Sequence, residues 1–253
     1  MGALHNGHLS LIKKAFEQAD AVVCSIFVNP TQFTDPKDLE KYPRPLEHDL
    51  QLLESVGCDI VFMPSVLEMY PNYPQAEEWH IDLGPAELLL EGAYRKGHYQ
   101  GVTQIVYKLF KAVEPDIALF GQKDFQQVLM IKTMLAIFKL PIKIVTCPIV
   151  RETDGLAMSS RNVHLSPKER QQALILSKTL YFVQEHYNEY PLNQLLEKAQ
   201  ALIETEPGVE LDYLSIAHTD NLEPIQEKTY SKTIALIAAR VGSTRLIDNI
   251  IIN

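Results

Sequence analysis

The apolar positions of this chain keep two rhythms in alternation. Leu9, Leu11, Ile12, Ala15, Phe16 and Ala19 recur at the spacing of one helix face. "AVVCSIFV" (21–28) is then a continuous β-branched and aromatic run, which predicts a strand buried on both faces. "LEHDLQLLESVG" (46–57) predicts a helix stopped by Gly57, and "CDIVFM" (58–63) a second buried strand. The alternation continues with a helix over 101–113, a strand over 116–120, a helix over 124–140 and a strand over 142–147. Helices alternating with buried strands predict an α/β fold whose first region, residues 1–149, is a doubly wound, Rossmann-like parallel sheet.

The rhythm changes near residue 150. "RETDGLAMSSRN" (151–162) is a polar loop, and helical patterns follow over 166–187, with Pro167 near the first helical position, and over 192–205. Strand-like runs at 209–217, 232–241 and 244–252 complete a smaller α+β region, 150–253, with an antiparallel sheet. No internal repeat or low-complexity tract interrupts either region.

Composition narrows the function classes. The chain has 253 residues, 46% of them apolar and 22% charged, as in an ordinary globular protein. A formal charge of −9 argues against nonspecific nucleic-acid binding, although a local basic pocket for a small anion remains open. No apolar stretch approaches the ~20 residues of a membrane span, and no signal core leads the chain, so a cytoplasmic protein is expected. Cys24, Cys58 and Cys147 are odd in number and far apart, which fits a reducing compartment and thiols packed as small hydrophobes.

Four polar clusters sit where open α/β sheets bind ligands. His5-Asn6-Gly7-His8 opens the first helix, where free N–H groups and the helix dipole favour a phosphate. An uncommitted helix start with two exposed histidines explains the same spacing. "FVNPTQF" (27–33) puts Asn29, Thr31 and Gln32 directly after a strand, as would a plain proline loop. "GQKDFQQ" (121–127) supplies Gly121, Lys123, Asp124 and Gln127 between a strand and a helix, a pattern that a capped helix with a solvated lysine also meets. "MSSRN" (158–162) offers two hydroxyls and an arginine suited to bidentate phosphate contact.

Taken together, an HxGH signature, a lysine after a later strand and a Ser-Ser-Arg loop beyond the sheet resemble the class I adenylylating fold. More closely, the chain resembles the pantoate–β-alanine ligase family. The likeness is carried by "MGALHNGHLSL", "SIFVNPTQF", "YPRPLEHDL", "MYP", "GHYQGVTQIVYKLF", "LFGQKDFQQ", "DGLAMSSRNVHLSP" and "TRLIDN". The resemblance implies ATP-driven condensation of pantoate with β-alanine through a pantoyl adenylate, releasing pyrophosphate and AMP.

By that resemblance Met1, Gly2, His5 and His8 line the nucleotide, with His8 as proton donor. Lys123 and Arg161 neutralise the phosphates, and Met158, Ser159 and Ser160 belong to the same ATP site. Gly121, Gln122 and Asp124 meet the adenosine, with Val150 beside the adenine. Gln32 and Gln127 grip pantoate, and Gln32 also borders the β-alanine site. Mg²⁺ arrives with the ATP phosphates, without a metal site of the protein's own. The resemblance further implies a homodimer built through the first region.

Arg44, Asp49, Arg95 and His98 lie in matching segments without a role legible from spacing. An ion pair joining Arg44 to Asp49 is the simpler expectation, and His98 either touches substrate or caps the helix at 101. Other HxGH nucleotidylyltransferases, a fragment of a class I tRNA synthetase and a nucleotide binder without turnover are the rival readings. Members of the resembling family also carry a strand ahead of the Met-Gly, which in a doubly wound sheet lies in the middle. The expectation from a late start codon is a sheet lacking that strand and a poorly anchored segment 1–8.

Overall fold

In a computed structural model, which describes residues 2–33, 36–75, 77–229 and 231–252, the chain divides into two units. The first comprises residues 1–121 and 126–148; the second takes 122–125 and 149–253. The short segment bearing Lys123, within 1–149 by sequence, thus groups with the second unit.

The first unit follows the alternating pattern. Its helices are α1 (Asn6–Phe16), α2 (Pro36–Lys41), α3 (Leu46–Ser55), α4 (Val66–Met69), α5 (Leu90–Tyr94), α6 (His98–Val113) and α7 (Phe125–Phe138). Its strands are β1 (Val23–Ser25), β2 (Ile60–Phe62), β3 (Ile117–Gly121) and β4 (Lys143–Cys147). They form two parallel pairs, β1 with β2 and β3 with β4. Leu4, Ile12, Ala15, Val22, Cys24 and Leu53 make one core cluster, with Leu119 of β3 packed against it. A second cluster joins Val102 and Phe110 of α6 to Ile131, Met134 and Leu135 of α7.

The short strands differ from expectation in one respect. Cys24 is fully buried, but Val23 is 36% and Ile60 53% exposed. The pleat sends alternate side chains to opposite faces, and only the face toward Ile12, Ala15 and Leu53 is covered by apolar partners among the described residues.

The second unit holds α8 (Pro167–His186), α9 (Leu192–Glu204) and an antiparallel sheet, β5 (Val209–His218), β6 (Thr233–Val241) and β7 (Thr244–Ile251), in the order β5-β6-β7. Ser166 and Glu169 close a capping box around Pro167, so the start of α8 is satisfied locally. Leu176, Leu180 and Val183 of α8 and Leu195, Ala199 and Ile203 of α9 pack on Ile216, Ala235, Ile237 and Ala239 of the sheet. All three cysteines are free thiols, and burial pushes Cys24 up to about 11, which keeps it protonated at neutral pH. Among the described residues no helix is long and apolar enough to cross a membrane.

Candidate active site

The two histidines of the opening motif cap their own helix. His5 precedes α1 in extended backbone, and its Nδ1 accepts from Gly7 N at 3.1 Å. His8 Nδ1 accepts in return from His5 N at 3.2 Å, and the rings lie 3.9 Å apart. A backbone N–H can only donate, so both Nδ1 atoms are acceptors. In each neutral ring the hydrogen therefore sits on Nε2, and the half-buried pair presents two Nε2–H donors at a helix N-terminus. The cap uses only the Nδ1 side of each ring, so it does not decide against the anion-binding reading of this motif.

The segment before the helix is anchored, against expectation. Residues 2–4 are buried, Leu4 N donates to Asp49 Oδ1 at 2.6 Å, and Tyr42 donates its hydroxyl to Gly2 O at 3.1 Å. Gly2 has φ +112°, a conformation that side chains rarely adopt. Asp49, 1% exposed, is the buried acceptor that fixes this backbone. The expected ion pair is therefore absent: Arg44 donates instead to Leu39 O at 2.8 Å. Met1 lies outside the described residues.

The turn after β1 is held by a chain of amides. Tyr70 Oη donates to Asn29 Oδ1 at 2.8 Å, and Asn29 Nδ2 donates to Gly101 O at 3.0 Å and Gln32 Oε1 at 3.3 Å. Burial pushes the Tyr70 phenol up to about 12, so it stays a donor. This chain sets the sense of the Gln32 amide: its oxygen is engaged, and its Nε2 makes no hydrogen bond among the described residues. Gly101 is a steric requirement here, since a Cβ on it would lie 2.3 Å from Thr31 O. His98 is 5% exposed; its Nδ1 lies 2.8 Å from Gln32 O and its Nε2 3.1 Å from Arg95 Nη1. The carbonyl must accept and the guanidinium must donate, so His98 is neutral with its hydrogen on Nδ1. Gly97, not His98, occupies the N-cap of α6.

Two adjacent glutamines at the start of α7 divide into different tasks. Gln126 is 3% exposed and bonds Ala86 O, Leu89 O and Glu91 N through its amide. Gln127 is half-buried, and its amide makes no hydrogen bond among the described residues. Only Gln127 has an amide to offer a ligand.

In the second unit Lys123 and Asp124 complete a single helical turn, Gln122–Asp124, ahead of α7. The Lys123 ammonium sits 3.9 Å from Asp124 Oδ1, a loose pairing, and its side chain is 18% exposed. The "MSSRN" loop follows a hairpin in which Met158 N donates to Val150 O at 3.0 Å and Arg151 pairs with Ala157. Ser159 caps the turn Ser160–His164, its hydroxyl accepting from Arg161 N at 3.3 Å. Asn162 is a brace: its Nδ2 donates to Glu152 Oε1 at 2.9 Å and Ala157 O at 3.1 Å. Arg170 of α8 bonds Glu152 and Asp154, at 2.9 and 2.8 Å. Burial raises both carboxyls, but bonds from Arg170, with Asn162 on Glu152 and Leu156 N on Asp154, outweigh it and hold both below the ordinary range. Met158, Ser159, Ser160 and Arg161 are all half-buried on this braced loop.

Among the described residues no group of three or more His, Cys, Asp or Glu could hold a metal ion. The family model described as pantoate–β-alanine ligase matches residues 1–251. The chain belongs to the pantoate–β-alanine ligase family. Among relatives of this ligase, the pantothenate synthetase of Roseiflexus castenholzii is 49% identical over 254 residues, covering 100% of this chain and 90% of that protein. That of a Thermoanaerobacter species is 49% identical over 255 residues, covering 99% and 88%. The solved pantothenate synthetase of Thermus thermophilus superposes with a TM-score of 0.94 at 40% identity, over 100% of this chain and 91% of that one. A Francisella tularensis pantoate–β-alanine ligase, solved with β-γ ATP and β-alanine, has a TM-score of 0.78 at 36% identity, over 99% and 87%. The family sets aside the readings as another nucleotidylyltransferase or a tRNA synthetase fragment, and makes the chain an ATP-dependent ligase of pantoate and β-alanine.

Residue spacing alone did not reach the second layer of this site. Asn29 looked like one of several loop polars, Tyr70 and Gln126 lay in family-like segments with no role given to them, and Glu152 carried no local signal. Each is recognisable only by its partners, which lie 35 to 41 residues away for Tyr70 and Gln126.

Proposed function

We propose that the ligase activates pantoate by adenylation, with the roles divided as follows. In the first unit His5 and His8 direct their Nε2–H groups at the ATP phosphates, and His8 is the proton donor. In the second unit Lys123 and Arg161 supply positive charge to the phosphates, and Ser159 and Ser160 donate hydroxyl hydrogen bonds. Gly2, Gly121, Gln122, Asp124, Val150 and Met158 line the nucleotide. A side chain at Gly121 would meet nothing within 4 Å, so its bareness is not needed for packing and is available to a ligand. Magnesium enters as part of the substrate, on the phosphates of ATP.

Gln32 and Gln127 take pantoate. Gln32 presents Nε2–H to its hydroxyl or carboxylate oxygens, and a neutral amide suits these better than a triphosphate. The pantoate carboxylate attacks the α-phosphorus, the bond to the bridging oxygen breaks, and pyrophosphate leaves. The β-alanine amine then attacks the acyl carbon, loses a proton, and AMP departs with the former carboxylate oxygen. The protein's contribution to the first step is alignment and stabilisation of charge shifting toward pyrophosphate.

The observation that carries this reading is the reciprocal cap that fixes both histidines as Nε2–H donors. The test is to supply pantoate, β-alanine and ATP. AMP and pantothenate formed together, with AMP release dependent on β-alanine, support it; ADP formation, or ATP binding without turnover, overturns it. We also infer that the chain works in the cytoplasm as a homodimer. The free thiols and the family resemblance support this, and light scattering of the purified chain tests the oligomer.

A further inference from the structure

We propose that Asn249 is a positioning residue that clamps the main chain of Lys123 and so fixes where its ammonium acts. The proposal rests on the phosphate role assigned to Lys123 above.

Asn249 lies near the end of β7 and is 1% exposed. Its Nδ2 donates to Gln122 O at 3.1 Å and to Lys123 O at 2.9 Å, while its Oδ1 accepts from Gln122 Nε2 at 3.1 Å. A carboxamide has two N–H donors and one oxygen, and here all are engaged within one turn of chain. The amide cannot flip, because its oxygen would then face two carbonyl oxygens. Aspartate has no donors for these carbonyls, and an aliphatic side chain would leave them unpaired. The requirement is therefore for a carboxamide at this place.

The clamp is itself fixed. Asn249 N donates to Asp248 Oδ1 at 2.8 Å, and Asp248 holds Arg151 at 2.6 and 3.1 Å. Arg151 also donates to Gly155 O at 3.2 Å, inside the hairpin that leads to "MSSRN". Successive residues of β7 thus anchor the two segments that carry the proposed phosphate ligands of this unit: Asn249 the Lys123 turn, Asp248 the hairpin before Arg161. β7 pairs along its length with β6, whose residues Thr233–Ala239 are buried, so both anchors start from a strand held by a continuous ladder to a buried neighbour. A lysine side chain is long and flexible. Fixing its Cα limits the volume its ammonium samples, which is what alignment with a developing charge requires.

The test is a double-mutant cycle read in the adenylation half-reaction, with pantoate and ATP kinetics measured separately. Lys123→Ala is expected to slow adenylation ~10²–10³-fold. Asn249→Ala, which misplaces the lysine without removing it, is expected to slow it about 10²-fold or less with an unchanged KM for pantoate. In the Lys123→Ala background, Asn249→Ala should add almost nothing, because the group it positions is gone. Asn249→Ser, which keeps one donor, should fall between and serves if the alanine variant fails to fold. If Lys123→Ala leaves adenylation intact, the reading of Lys123 fails on its own. If Lys123→Ala is slow and the Asn249 effect multiplies through unchanged, or appears only as a lower melting temperature, the clamp is overturned.

Discussion

Gly101→Ala isolates the contact that seats the turn proposed to bind pantoate. Gly101 lies in the first turns of α6, and in an open helix the change would be favourable by roughly 0.5–1 kcal/mol. Here the new Cβ would stand 2.3 Å from Thr31 O, 2.6 Å from Thr31 C and 2.9 Å from Gln32 Cα. Reaching the 3.0 Å floor of real Cβ contacts demands a shift of at least 0.7 Å between helix and turn. The obstacle is backbone, so no rotamer change relieves it. That shift also lengthens the bonds from Asn29 to Gly101 O and from His98 to Gln32 O. Overpacking of this kind costs about 1–3 kcal/mol, which exceeds the gain in helix propensity, so net destabilisation is expected. The displaced Gln32 should reduce kcat/KM for pantoate by up to ~10²-fold, while KM for ATP stays near wild type. Thermal melts and steady-state kinetics with each substrate varied in turn check both parts. A variant with a raised melting temperature and unchanged pantoate kinetics would refute the reasoning.

Other perturbations separate the remaining roles. His98→Ala should raise KM for pantoate about 3–10-fold by freeing Gln32 O, and His98→Asn, whose amide can stand in for Nδ1–H, should restore most of it while His98→Gln should not; equal impairment in all three would contradict the bond. Gln127→Ala should weaken pantoate by roughly 1.5–3 kcal/mol without loss of stability, whereas Gln126→Ala should cost about 1–3 kcal/mol of stability. Loss of stability in the first variant, or of ATP affinity alone, would reverse the assignment. Glu152 and Asp154 are held below their ordinary values of 4.5 and 3.8, so their contribution is complete above those values and is lost as pH falls through the lowered ones. The stability gap between wild type and Arg170→Ala, about 1 kcal/mol for so partly exposed a network, should therefore shrink as pH falls below those ordinary values and close once it passes the lowered ones. A gap constant from neutral to acid pH would exclude this network as its source.

The alternating pattern was sufficient for the architecture because each element buries its own stripe. Leu9, Leu11, Ile12 and Ala15 all turn inward on α1, and β3 and β4 lie where their apolar runs predict. The run "AVVCSIFV" predicted burial of β1 on both faces and the structure covers one, because such a run records what a strand tolerates and not what covers it. The clusters named from the sequence are the residues to which the proposal gives ligand contacts. What holds them was hidden, since a hydrogen bond such as Tyr70 to Asn29 or Asn249 to Lys123 links positions with no local pattern in common. Arg44 and Asp49 illustrate the opposite error. Opposite charges five residues apart suggested a pair, yet the Asp49 carboxylate is committed to Leu4 N, a donor that spacing cannot reveal.

The central claim is that the pantoate carboxylate oxygen attacks the α-phosphorus of ATP. Pantoate labelled with 18O in its carboxylate tests it directly, with the wild-type chain, ATP and β-alanine, by mass spectrometry of the products. One 18O should appear in AMP and one should remain in the amide carbonyl of pantothenate. Unlabelled AMP, or label found in inorganic phosphate beside ADP, would contradict it.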